Sequence, residues 1–172
     1  STAYVTQDLV NPAGGGNTQG LKLTGDGTSA LQVFSVDGSL LGGRNEIALS
    51  NIPSFASIVL NVSGANTGLH NLYSSNPFDP YAGRVLLNFY QATQVSLDHT
   101  APHASILAPL ATIESSRFGH ITGTVVANAW NGEFQLNVSP VPEPGSYALM
   151  LAGLGLMGFV ARRRKRQISA AA

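Results

Sequence analysis

Asp98, His99 and His103 are the only concentrated set of chemically active side chains in this 172-residue chain, and a carboxylate near two imidazoles is the kind of group that could ligate a metal ion. Histidines four residues apart share a face only on a helix. Thr100-Ala101-Pro102 lies between them and opposes helix, because proline breaks the hydrogen-bond ladder and restrains the residue before it. The expectation is a solvated loop and no metal. His70 and His120 stand alone in the sequence. A serine hydrolase needs nucleophile, base and orienting acid on a recognisable turn, and no Gly-x-Ser-x-Gly occurs. Gly14-Gly15-Gly16 has no following Lys-Ser or Lys-Thr, so it fails as a phosphate loop. Asp26-Gly27 and Asp37-Gly38 suit β-turns, without the repeated acidic nonapeptide of calcium-binding solenoids. No catalytic, cofactor-binding or metal residue is assigned.

Binding is better served by the aromatic residues. Tyr73, Phe78 and Tyr81 fall in a polar, proline-containing insertion from Gly64 to Ala82, expected to be the least regular part of the body, where an exposed ring could stack on a sugar face. They are the candidate ligand surface. The alternative is that these rings only cap the edge of a core.

The elements that must position these residues are short strands. Apolar and β-branched runs recur at 21–23, 31–36, 47–49, 58–62, 85–89, 95–97, 106–108, 121–126 and 134–138, separated by Gly, Asn, Pro and Ser. This spacing predicts an all-β body with no regular helix before the C-terminal tail. Two architectures fit: a β-solenoid, parallel and β-helix-like, with flanking strands, or an antiparallel β-sandwich. Consecutive apolar residues, as in Ile58-Val59-Leu60 and Val85-Leu86-Leu87, suggest strands buried on both faces. Pro109 reads as a strand end, Gly123 as a close crossing and Asn88 as part of a ladder in a turn.

Formal charge is zero, but it is unevenly spread. Five of nine cations sit at 162–166, so residues 1–161 hold Lys22, Arg44, Arg84 and Arg117 against nine acids. A mildly acidic body lacks the basic footprint that nucleic acid requires. The chain has no cysteine, which excludes disulfides and thiolate metal sites.

The C-terminal segment has three consecutive parts. Pro142-Glu143-Pro144 is followed by an uncharged apolar run from Gly145 to Ala161, then by Arg162, Arg163, Arg164, Lys165 and Arg166. As a helix the run would span roughly 25 Å, enough for a thin membrane. Its glycines would weaken a soluble helix by about 1 kcal/mol each, whereas membrane helices tolerate them. The basic cluster resists translocation and should stay cytoplasmic, leaving the body outside. The expected divisions are a body at 1–139, a sorting segment at 140–166 with a transmembrane helix at 145–161, and a tail at 167–172.

This segment resembles the bacterial PEP-CTERM sorting signal, whose Pro-Glu-Pro triplet precedes an apolar helix and an arginine cluster. The resemblance implies a Gram-negative host, recognition by a membrane-embedded exosortase, transient anchoring in the inner membrane, and delivery to the surface or extracellular matrix. The runs Leu31-Gln32-Val33-Phe34-Ser35-Val36-Asp37-Gly38, Ile52-Pro53, Ile58 to Gly64, Arg84 to Phe89, Ser105 to Pro109 and Gly123 to Ala127 resemble the C-terminal half of the choice-of-anchor A ectodomain. That second resemblance implies an adhesin-like module. Exopolysaccharide or other matrix components would be its partners, with a role in adhesion, biofilm or floc formation. The rival expectation is a secreted hydrolase or glycan-processing enzyme carrying the same signal as an address. The opening Ser1-Thr2-Ala3 has no export leader, so the chain is expected to be the C-terminal part, or a processed form, of a longer exported protein.

Overall fold

Alternation of side chains governs the body. Along Leu31–Asp37 the residues Gln32, Phe34 and Val36 are buried while Leu31, Ser35 and Asp37 face solvent, and Ser57–Ser63 repeats the pattern with Ile58, Leu60 and Val62. That is the signature of strands with one apolar face. The structure, a computed structural model, describes residues 4–6, 20–41, 46–70, 76–116, 118–138 and 150–157. The chain forms two compact units, Ser1–Ser139 and Pro140–Ala172.

The first unit contains β1 (Tyr4–Thr6), β2 (Gly20–Thr24), β3 (Leu31–Asp37), β4 (Glu46–Ser50), β5 (Ser57–Ser63) and β6 (Asn66–His70). It continues with β7 (Val85–Asn88), β8 (Gln94–Asp98), β9 (Ser105–Ser115), β10 (His120–Thr122), β11 (Val125–Gly132) and β12 (Gln135–Asn137). Among the described residues every strand pair is parallel except β1 with β2. An antiparallel sandwich is therefore ruled out. The body is mostly β, built around a curled parallel sheet.

Register shows how the sheet is made. Leu31 pairs with Ser57, a step of 26 residues, and Gly20 with Glu46 takes the same step. Asn66 pairs with Gln94, a step of 28. The steps then shorten to 19 where Leu86 meets Ser105 and Ile106 meets Val125, and to 15 where His120 meets Gln135. Each pass of the chain thus lies on the previous one, with side chains in matched columns. One inward column runs Phe34, Leu60, Leu87, Ile106 and Val125, and the first four are nearly or fully buried. Full burial of such a side chain stabilises the fold by about 1.5–3 kcal/mol.

Three expectations need correction. Val59 and Leu86 are only half-buried on the outer face, so these strands bury one face and not two. Pro109 does not end a strand: β9 runs through it, pairing with β7 by Ser105–Leu107 and with β8 by Thr112–Ser115. The proline sits where the strand leaves one neighbour for the next, and β11 shifts register between Ala127 and Ala129 beside the same corner. Finally, the stretch from Gly64 to Ala82 contains β6 and a short 3-10 turn at Asp79–Tyr81, so much of it is ordered into the fold.

Close crossings explain individual glycines. A Cβ at Gly68 would collide with the Ser96 carbonyl oxygen on the neighbouring pass, and one at Gly123 would press on Ala104. In the second unit a helix covers residues 150–157, with Met150, Leu151, Leu154, Leu156 and Met157 all exposed. Among the described residues no helix is long and apolar enough to cross a membrane. The rest of the expected span, 145–149 and 158–161, lies outside them, as do the Pro-Glu-Pro triplet and the basic cluster.

Candidate functional site

Phe78 and Tyr81 do not form a ligand surface. Phe78 is 0% exposed and Tyr81 is 9% exposed, with its hydroxyl donating to the Ile52 carbonyl at 3.0 Å. Both rings close the core between adjacent passes of chain, which was the alternative reading of these aromatics. Tyr73 lies outside the described residues.

The Asp98–His99–His103 set divides. His103 turns away and its Nδ1 lies 2.7 Å from Asp79 Oδ1, with its ring 6.0 Å from that of His120. No group of three or more such side chains among the described residues could hold a metal ion. Asp98 and His99 stay together, and the stacking of passes brings further residues to them.

β6 and β8 place His70 directly beside Asp98, both at outward positions, because Leu69 and Leu97 next to them point into the core. On the next pass, the Ser116 amide donates to the Leu97 carbonyl at 3.0 Å, which sets Ser116 beside Asp98. The Ser116 hydroxyl holds the Asp98 carboxyl below the usual carboxylate range against the opposing effect of burial, with lesser help from the His99 hydrogen bond and from the His99 and His70 charges. His99 Nδ1 donates to Asp98 Oδ1 at 2.9 Å. The His99 backbone has φ 46°, in the left-handed region that few non-glycine residues occupy.

Phe118 completes the cluster. The Thr100 carbonyl accepts from the His120 amide at 3.2 Å and Thr100 bridges to Gly119, so residues 98–100 run beside Ser116 and residues 118–120. The Phe118 ring stacks on His99 with centroids 5.2 Å apart at 29°, yet the residue remains 62% exposed. Sequence reasoning missed this aromatic because nothing near it in the chain marks a site. Only the 19-residue step from Thr100 to Gly119 does so.

The cluster can do limited chemistry. Ser116 and His99 both hydrogen-bond the same carboxylate, so the acid sits between hydroxyl and imidazole. A hydrolytic triad places the imidazole in the middle. The cluster sets an exposed ring beside an ionised acceptor, a combination suited to binding.

The body is a set of parallel, stacked β passes, and the described part of the tail is an apolar helix. Residues 2–138 match the family described as Putative Ice-binding-like adhesive domain, and residues 140–165 match the PEP-CTERM protein-sorting motif. The chain belongs to that adhesive-domain family and carries the sorting motif, which marks it for export, exosortase processing and sorting to the cell surface. The body's match is to this family, and a relationship to choice-of-anchor A ectodomains is not shown by it. No curated protein and no solved structure matches the chain.

Proposed function

We propose that this chain is a non-enzymatic adhesin of a Gram-negative surface or matrix, acting in attachment, biofilm or floc formation through contact with exopolysaccharide. The observation that carries this reading is the order of the two matches, an adhesive-type domain over 2–138 running directly into a sorting motif over 140–165. The stacked parallel passes, at steps of 26–28 and then 15–19 residues, support a β-solenoid. Such a body presents an outer face built from stacked strands, and the central position of Asp98 in its cluster favours binding over turnover.

Before processing, the helix at 145–161 spans the inner membrane with Arg162 to Arg166 on the cytoplasmic side. The described part supports this, since Met150, Leu151, Leu154, Leu156 and Met157 spread apolar side chains around the helix. A helix apolar on all sides suits lipid. Pro142, Glu143 and Pro144 are the residues exosortase reads.

The test is attachment. Cells producing the full-length exported protein together with exosortase should adhere to polysaccharide-coated surfaces or settle as flocs, and cells lacking the gene should not. Equal attachment with and without the gene contradicts the adhesive reading.

A further inference from the structure

We propose that Phe118, Asp98 and His99 form a binding site for a neutral, β-linked oligosaccharide of gluco configuration. The proposal deepens the adhesive reading above and rests on it.

Phe118 supplies the platform. One side of its ring is occupied by His99 at 5.2 Å, while 62% of the residue remains open to solvent. A pyranose whose hydroxyls are all equatorial exposes a continuous C–H face, which complements the electron-rich face of an aromatic ring. The ring is held in place: His99 is stacked beneath it and fixed in turn by Asp98 at 2.9 Å. Ordering the site in advance reduces what a weakly bound sugar must supply.

Asp98 supplies the polar anchor. An ionised carboxylate accepts hydrogen bonds at about four positions, and Ser116 and His99 occupy two. The remaining positions suit the paired hydroxyls of a vicinal equatorial diol. Glu114 is exposed at a neighbouring outward position, opposite Ser96 in the register. Two acidic side chains on one outer face disfavour a uronate and select a neutral sugar.

The experiment is an NMR titration of the isotopically labelled full-length chain in a detergent without a sugar headgroup, using cellohexaose and hexagalacturonate as probes. Cellohexaose should shift the amides of His99 and Phe118. Phe118→Ala should weaken it about tenfold, as expected for one lost aromatic stack. Phe118→Tyr should bind like the wild type, as should Tyr90→Ala, which removes an exposed ring elsewhere. No cellohexaose shift, a preference for hexagalacturonate, or an equal loss with Tyr90→Ala overturns the site. Cell attachment scored in parallel separates this proposal from the broader one. Attaching cells whose purified protein ignores cellohexaose overturn the site alone. Non-attaching cells whose protein binds cellohexaose through Phe118 support the site and overturn the adhesive role.

Discussion

Gln32 and Asp26 satisfy each other from both directions: Gln32 Nε2 donates to Asp26 Oδ1 at 2.6 Å, and the Asp26 amide donates to Gln32 Oε1 at 3.2 Å. Gln32 is fully buried on the inward face of β3, in an otherwise apolar wall beside Ile58. A buried amide is tolerated only when its polar atoms are paired. Asp26 also accepts from the Thr28 and Ser29 amides at 3.0 and 2.9 Å and from the Ser29 hydroxyl, so the carboxylate organises the corner between β2 and β3.

This corner gives the protein an acid-sensitive joint. Hydrogen bonds from Gln32 first, then Ser29 and Thr28, hold the Asp26 carboxyl far below the usual range. Its folded value is lower than its unfolded one, so just below about pH 4 the unfolded chain binds the extra proton. The Asp26 contribution is complete above that range and declines as pH falls toward the folded value. Denaturant melts from neutral to acid pH should show this loss, and Asp26→Asn should flatten the acid limb.

Thr100 should be better replaced. It is fully buried and its Oγ1 has no hydrogen-bond partner. Thr100→Val keeps the shape and removes the unpaired hydroxyl, so it should raise stability by about 1 kcal/mol in a urea melt. A loss of stability would mean that the hydroxyl is satisfied.

Gly68→Ala should be costly. The new methyl would strike the Ser96 carbonyl oxygen and meet His70 Nε2 at 3.0 Å, forcing β6 and β8 apart. A loss of about 1–3 kcal/mol is expected, the usual range for overpacking. The His70 ring resonances should move with it.

Asn61 and Asn88 should be coupled. They are register partners on the outer face of β5 and β7, and Asn88 Nδ2 donates to Asn61 Oδ1 at 2.8 Å. A double-mutant cycle with alanine at both positions should return a coupling of about 1 kcal/mol. Additive effects would mean that solvent competes the bond away.

The strands at 31–37 and 57–63 were legible as runs of apolar and β-branched residues, but Val59 beside Leu60 hid the alternation by which Ile58, Leu60 and Val62 alone turn inward. β6 was not legible, because Asn66-Thr67-Gly68-Leu69-His70 has one large apolar residue and owes its strand to pairing with β8, 28 residues away. The same cause hid the site. Asp98 and His99 stood out as a polar pair, but Phe118 reaches them only through stacking of the next pass. Phe78 and Tyr81 misled because proline and polar neighbours suggest exposure, whereas the Tyr81 hydroxyl finds a backbone acceptor on the preceding pass. The tail needed no folding to be read, since a sorting motif is recognised as a linear order of residues.

The central claim is sorting at 140–165, and it is tested by the intact mass and cell fraction of the full-length exported protein in matched hosts with and without exosortase. The account predicts loss of the apolar helix and arrival at the surface only in the host with exosortase. An uncut protein held in the inner membrane of both hosts would contradict it.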